Sequence, residues 1–250
     1  MTEQLTSKIE SPEKSLLPKE LFVLQVEFAY EVARQRGLPL HDALLRYTSA
    51  HARMFHHPAQ GVADGWAVFV AELSEMPENI VDSIYDAYVA KEETSGVPAD
   101  RETFGCFSHQ YKEARNTFVL HFGNHDPAGN LGKDRREARL EDLRRLTESI
   151  AAQGRLDARV QMTSWLLSID AFKRLLPEDF VSTIDSVEQD VAQDNGLWGQ
   201  FLDKEGKVKK ELAEQLLTNL RSGRLPVTDC FPCKLKTAKV PQEVFFEKYL

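Results

Sequence analysis

The chain is poor in cysteine and has no long apolar run, and both absences restrict what it can be. Three cysteines in 250 residues are too few for the disulfide framework of a secreted domain, so we expect a reducing, cytoplasmic location. No apolar stretch approaches the roughly 20 residues that span a bilayer. The N-terminal residues also lack the apolar core of a signal peptide. We therefore expect no membrane association.

The acidic charge is concentrated in the first part of the chain. The formal net charge is −8; residues 1–100 hold 8 basic and 16 acidic residues, and the remainder holds 23 of each. Because phosphates repel a net acidic chain, no nucleic-acid partner is expected. The change in charge near the polar stretch 91–103 predicts two domains, 1–95 and 96–250. The sequence does not determine the oligomeric state.

Apolar residues at helical spacing predict that the first domain is helical. Patterns at three- and four-residue steps indicate helices over 40–54 and 80–88, whereas 66–73 fits either a helix or a strand. Pro18 and Gly37 suit the ends of a first helix, whose buried stripe would be Leu21, Leu24, Phe28 and Val32. A small helical bundle is the expected product.

The rest of the chain alternates strand and helix patterns, which predicts a mixed-sheet α/β domain and an α+β fold for the whole chain. Asp134 and Glu137 have the spacing of a capping box, which predicts that a helix begins at Asp134. The other predicted elements are a hairpin over 104–111 and 117–122, strands over 159–167, 181–191 and 197–202, helices over 169–176 and 208–220, and strands near 235–240 and 244–249.

The glycine-containing loop 123–133 lies between a predicted strand and a predicted helix, where free N–H groups and the helix dipole favour an anion. It is not a P-loop, because Pro127 stands where the motif needs glycine and Asp134 follows Lys133. The predicted capping box would also use donors that a phosphate needs. A structural loop and a phosphate-binding loop therefore both remain open.

His121 and Ser164 lie near the ends of two predicted strands and are the candidate catalytic residues. A histidine at a strand end beside a ligand loop is placed to act as a general base, although the pattern favours a structural histidine beside the helix. No GxSxG elbow surrounds Ser164, which argues against a serine hydrolase. Its hydroxyl and the neighbouring backbone are instead placed to orient a ligand.

The other histidines and the cysteines do not predict a metal site. His51 and His56 are five residues apart, whereas metal ligands on one helix face are about one turn apart. Cys230 and Cys233 form a CxxC pair without the helix N-terminus that lowers a thiol pKa. We expect no metal and interpret these cysteines as incidental thiols.

The stretch HFGNHDPAGNLG, the long helix after it and SWLLSIDAFKRLLP resemble a GNAT-like acyltransferase domain behind a helical N-terminal domain. The resemblance covers roughly residues 104–202. It implies two neighbouring parallel strands that diverge, so that a cleft receives the pantetheine arm of coenzyme A. It also implies that the backbone of the loop binds the diphosphate; the corresponding residues here are Gly129, Asn130, Leu131, Gly132 and Lys133.

The resemblance implies an N-acyltransferase that uses a coenzyme A thioester and a small-molecule or protein amine as acceptor. His121 would deprotonate the amine, and a backbone amide near Ser164 would polarise the thioester carbonyl. Many family members carry a tyrosine acid where this chain has Phe172. The alternative is therefore a non-catalytic ligand-binding or interaction protein on a degenerate GNAT-like fold.

Overall fold

Helices surround a mixed β-sheet in the computed structural model, which describes residues 16–54, 62–75, 79–94, 102–123, 126, 131–187 and 195–250. The α+β fold, with helices preceding the sheet, is as predicted. The strands are β1 (Glu102–Phe104), β2 (Phe107–Lys112), β3 (Thr117–Phe122), β4 (Arg159–Ser164), β5 (Asp185–Ser186) and β6 (Lys236–Pro241). The helices are α1 (Lys19–Arg36), α2 (Leu40–Tyr47), α3 (Ala50–Met54), α4 (Val62–Glu75), α5 (Ile80–Thr94), α6 (Arg136–Ala152), α7 (Asp170–Lys173), α8 (Glu178–Ser182), α9 (Asn195–Trp198), α10 (Lys210–Arg221) and α11 (Glu243–Tyr249). Within the described ranges, no helix is long and apolar enough to cross a bilayer.

The helices before the sheet follow the apolar pattern closely. α1 starts after Pro18 and ends at Gly37, whose φ of +64° is the left-handed conformation that glycine adopts without strain. All four residues of its predicted stripe are buried. The predicted helix over 40–54 is divided into α2 and α3, because the backbone of Thr48 is extended. The ambiguous segment 66–73 lies within α4 and is helical.

The sheet has the strand order β1-β2-β3-β4-β6-β5. Among the strands that the structure describes, only β3 and β4 pair in parallel, and α6 connects them; the other neighbours are antiparallel. Alternate residues of the central strands point into a common core, which is completed by helices that follow them in the chain. The members of this core from β3, β4 and α6 include Phe118, Leu120, Val160, Met162, Leu143, Leu146 and Ile150.

Two strand predictions near the C-terminus are wrong, and both segments are helical. Residues 197–202 lie in α9 and a following 3₁₀ turn, where neighbouring Leu197 and Trp198 are both buried, unlike alternating strand residues. Residues 244–249 lie in α11, where Phe245 and Tyr249 are one helical turn apart and their rings contact each other. Of the predicted strand 181–191, only β5 pairs, and 188–191 lie outside the described residues.

The buried apolar residues form two clusters, which we call the helical core and the sheet core. The helical core combines residues of α1 to α5 with residues 197–231, including Leu216 of α10. The sheet core combines strand residues with α6 and the segments 166–180 and 238–245. Trp165 packs against both. The division into 1–95 and 96–250 stays a prediction, but the helical core takes in a segment that this division assigns to the second domain.

Candidate functional site

The parallel strands β3 and β4 stop pairing before either strand ends. Their register runs from Thr117 opposite Arg159 to Leu120 opposite Met162 and goes no further. The flanking ladders continue: β2 pairs with β3 as far as Phe122, and β4 pairs with β6 as far as Ser164. The last two residues of β3 and of β4 therefore form no pairs with each other. We call these four residues, His121, Phe122, Thr163 and Ser164, the strand-end site.

The two candidate catalytic side chains lie on opposite faces of the sheet. Leu120 and Met162 are opposite each other and both point into the sheet core. Because side chains alternate along a strand, His121 points to the other face, whereas Ser164 shares the face of Met162. His121 is half-buried. The structure therefore brings the two strand ends together but does not bring these two side chains onto one face.

The hydroxyl of Ser164 already has a structural role. Its Oγ accepts a hydrogen bond from the Leu166 N–H at 3.2 Å and so caps the 3₁₀ turn Trp165–Ser168. A capping hydroxyl of this kind redirects the chain at the end of β4, two residues beyond the last residue that pairs with β3. The hydroxyl oxygen of Ser164 is thus occupied, and the part of the prediction that remains is a ligand contact made by the backbone around Ser164.

Aromatic rings fill the core beside the end of β3. Phe172 of α7 is fully buried; its ring stacks on Phe107 with a centroid distance of 6.0 Å and meets the edge of Phe122 at 5.3 Å. Phe172 lies where the family resemblance places a tyrosine acid. A fully buried ring without a hydroxyl cannot donate a proton there, so Phe172 contributes packing and no acid.

The predicted cofactor loop is described in part. Gly129 and Asn130 lie outside the described residues, whereas Leu131 packs partly against the sheet core and Gly132 and Lys133 are exposed. The predicted capping box is wrong: a 3₁₀ turn over Lys133–Arg135 precedes α6, and the cap residue Arg135 makes no side-chain capping hydrogen bond. The side chains of Asp134 and Glu137 therefore do not satisfy the free N–H groups at this helix start.

Asp126, in the same connection, binds two arginines, Arg135 of the 3₁₀ turn and Arg139 of α6. Its Oδ2 accepts a hydrogen bond from Arg135 Nε at 2.9 Å and one from Arg139 Nη2 at 3.0 Å. Its side chain is only 10% exposed, so water screens these ion pairs weakly. The contacts fix the connection against the first turns of α6, and they raise the pKa of Arg135 through the hydrogen bond with Asp126.

Arg139 is also the centre of a buried charged cluster that the sequence did not predict. Its Nε lies 3.2 Å from Asp142 Oδ2, and its Nη1 contacts the Sγ of Cys106. Asp142 Oδ2 accepts the backbone N–H of Cys106 at 3.2 Å. At Gly105, φ is +56° and a Cβ would lie 2.0 Å from Asp142 Oδ1, so only glycine fits this turn.

A pair of cations meets near the start of α6. Lys248 Nζ, at the end of α11, donates a hydrogen bond to the Leu176 carbonyl at 2.6 Å. Burial lowers the pKa of Lys248; Glu178 opposes the shift and the positive charge of Arg136 adds to it. Arg136 pairs with Glu137 at 3.0 Å, so among the described residues the exposed Lys133 is a cation without an ion-pair partner at the N-terminal end of α6, where the helix dipole also favours an anion. No sequence motif marks Lys248, because the chain places it there only through the packing of α11 on α6.

The described residues contain no group of three or more histidine, cysteine, aspartate or glutamate side chains that could hold a metal ion. Cys230 and Cys233 are free thiols, and burial raises the pKa of both, which disfavours the reactive thiolate. His51 contacts the Trp66 ring edge-on at 5.3 Å, and His56 and His57 lie outside the described residues.

Comparison with protein-family models, curated proteins and solved structures finds no match for this chain. Its function must therefore be argued from its own residues and their geometry.

Proposed function

We propose that the strand-end site binds a coenzyme A thioester and that the protein transfers the acyl group to an amine. The observation that carries the proposal is the early end of the β3–β4 ladder, after Leu120 and Met162, between two ladders that continue. Diverging parallel strands present backbone N–H and C=O groups that an extended, amide-containing chain such as pantetheine can pair with.

The residues at the start of α6 are compatible with the diphosphate of this substrate. Arg135 and Arg136 donate their N–H groups to the carbonyls of Gly132 and Lys133, so the N–H groups available to phosphate oxygens are those of Lys133 and Asp134, at the start of the 3₁₀ turn that leads into α6. The exposed Lys133, which takes part in no ion pair among the described residues, adds positive charge at the same end. The strand–loop–helix–strand order of β3, α6 and β4 also matches the order implied by the family resemblance.

In the proposed reaction, the amine nitrogen attacks the thioester carbonyl carbon. The C–N bond forms, the C–S bond breaks, and the proton lost by the amine is accepted by His121. Backbone N–H groups at the strand-end site would stabilise the negative charge on the carbonyl oxygen. Because Phe172 carries no acid, the coenzyme A thiolate would take its proton from water. No covalent enzyme intermediate is needed.

Calorimetric titration of the full chain with coenzyme A, acetyl-coenzyme A and 3′-phospho-ADP tests binding. We expect both coenzymes to bind at least tenfold more tightly than 3′-phospho-ADP, because only they place pantetheine between the strands (tenfold is about 1.4 kcal/mol). Lys133→Glu should weaken both by about tenfold through repulsion. Lys204→Glu, an equal charge change at an exposed residue outside the site, should leave affinity unchanged.

Two results would contradict this proposal. Absence of binding by both coenzymes would refute it outright, and equal affinities for coenzyme A and 3′-phospho-ADP would show that the strand ends do not receive pantetheine. Where binding is present, His121→Gln should reduce the rate of acyl transfer to an amine panel and leave the affinity for coenzyme A unchanged.

One observation favours a second candidate, a coenzyme A-binding protein without catalysis. His121 and Ser164 lie on opposite faces, and Phe172 replaces the expected acid. Tight binding of acetyl-coenzyme A without acyl transfer to any amine of the panel would favour this candidate over the transferase.

A further inference from the structure

An apolar groove of about 510 Å³ lies between α1 and α10, within the helical part of the molecule and apart from the strand-end site. Its apolar lining includes Val23 and Leu24 of α1 and Ala213 and Leu217 of α10. Apolar grooves between two helices are the usual seat of a further helix, which inserts side chains spaced three, four or seven residues apart. The groove is therefore shaped for another helical surface.

A ridge on α1 is formed by two exposed apolar side chains, Val23, which lines the groove, and Tyr30, with the exposed Glu27 between them. Val23 and Tyr30 are seven residues apart, so they project from the same side of the helix. Their exposed fractions are 37% and 45%, which is high for large apolar side chains in a helix whose opposite face is buried. A ridge and a groove side by side on one surface are what a twofold-symmetric contact needs, because each copy supplies both.

The two sides of the groove differ in net charge. The α1 side carries Glu20 and Glu27, and the side formed by α10 and the residue stretch before it carries Lys207 and Lys210 together with one carboxylate, Glu214. Lys207 pairs with Glu205 at its own end of the groove. Within the described part of the chain, Glu20, Glu27 and Lys210 take part in no ion pair.

We infer that the groove is a dimer interface, occupied by the α1 ridge of a second copy of this chain. Tyr30 and Val23 of each copy enter the groove of the other, and the acidic α1 side of one copy lies against Lys207 and Lys210 of its partner. A second copy brings both signs of charge to the contact, whereas an anionic lipid brings only the sign that the α1 carboxylates repel. The inference is independent of the proposed acyl transfer.

Light scattering after size exclusion tests the oligomeric state of the full chain at concentrations between about 1 and 100 μM, which cover micromolar dissociation constants. We expect twice the monomer mass at the upper end. Val23→Glu should raise the dissociation constant at least tenfold. Val68→Glu is the matched control, because Val68 is 61% exposed and lies on α4, outside the groove. A monomer at every concentration, or a dimer insensitive to Val23→Glu, would overturn the inference.

A charge exchange tests the pairing without altering the apolar residues. Glu27→Lys and Lys210→Glu change exposed residues, so both variants should fold, and each should dissociate about tenfold more readily than the parent. An equimolar mixture should form a heterodimer with parent-like affinity. In that heterodimer the two substituted side chains face each other with opposite charges, and the unchanged Glu27 and Lys210 form the second contact. If the mixture does not associate more tightly than either variant alone, the proposed contact between Glu27 of one copy and Lys210 of the other is refuted.

Discussion

The helical core and the sheet core are built from different kinds of contact. The centre of the helical core is aromatic: Phe28 meets Trp198 at 5.4 Å and Phe231 at 5.3 Å between ring centroids. The sheet core has aromatic rings too, but it also buries an arginine and an aspartate, Arg139 and Asp142, beside the turn that joins β1 and β2. Apolar contacts tolerate small displacements, whereas buried ion pairs require defined geometry. The rigid part of the molecule is therefore expected beside the strand-end site.

Removal of a buried charge from the sheet core should lower the free energy of unfolding more than any other predicted change. Asp142→Ala leaves Arg139 without one carboxylate and the Cys106 N–H without its acceptor, so the free energy of unfolding should fall by about 3–5 kcal/mol. Urea denaturation measures this loss.

Two further variants sharpen that measurement. Asp134→Ala removes an exposed carboxylate from the same part of the chain and should cost less than about 0.5 kcal/mol. Replacing both partners, Arg139→Met with Asp142→Leu, should recover most of the loss, since an apolar pair leaves no unpaired buried charge. A loss below about 1 kcal/mol for Asp142→Ala would mean that the two cores do not differ as described.

A cavity in the helical core should have the next largest effect. Leu216 of α10 is fully buried in that core, so Leu216→Ala should cost about 2–4 kcal/mol. Because α10 packs on α1, amide hydrogen exchange in α1 should accelerate as well. Leu225→Ala, at a 45% exposed leucine, is the matched control and should change neither quantity. Unchanged exchange in α1 would show that residues 195–231 do not support the first helices.

The smallest expected effect is a pH dependence confined to the sheet region. His109 is buried; its Nε2 lies 3.1 Å from Ser149 Oγ and 3.3 Å from Glu102 Oε2, and burial lowers its pKa despite the nearby carboxylate. The unfolded chain therefore binds a proton more readily than the folded one. Stability is complete above about pH 6.5 and is lost as the pH falls through the lowered folded pKa.

Urea midpoints at about pH 7.5 and pH 5 measure this dependence. His109→Gln removes the titrating ring, so the variant should lose less stability than the parent between these two pH values. An equal loss in both proteins would assign the pH dependence to other groups.

The spacing of apolar residues predicted a helix well where only one face of that helix packs against a core. The stripe of α1 and the positions of α6 and α10 follow from spacing and from residues such as Pro18 and Gly37. The pattern failed at α11 and at α9, since a short apolar segment has the same composition in a helix and in a strand. There the surrounding core, through Phe245 and Trp198, decides the conformation.

The strand-end site was predicted only in outline. Element order indicated that the ends of β3 and β4 would be neighbours. Which faces of the sheet His121 and Ser164 occupy depends on the register between the two strands, and the sequence does not give that register. The Arg139 cluster left one signal in the sequence: Arg139 and Asp142, three residues apart, flank the apolar stripe of α6. Spacing alone does not distinguish such a pair from an exposed one, because burial is set by the turn at Gly105.

The helical core is formed by two segments that lie far apart in the chain, and this has a consequence for synthesis of the protein. Helices α1 to α5 leave the ribosome long before α9 and α10, which complete their core. The sheet region, whose strands β1 to β4 are close in the chain, lies between them. Nascent α1 thus exposes apolar surface until α9 and α10 have been synthesised, and during that interval this surface is covered only by chaperones or by partial collapse.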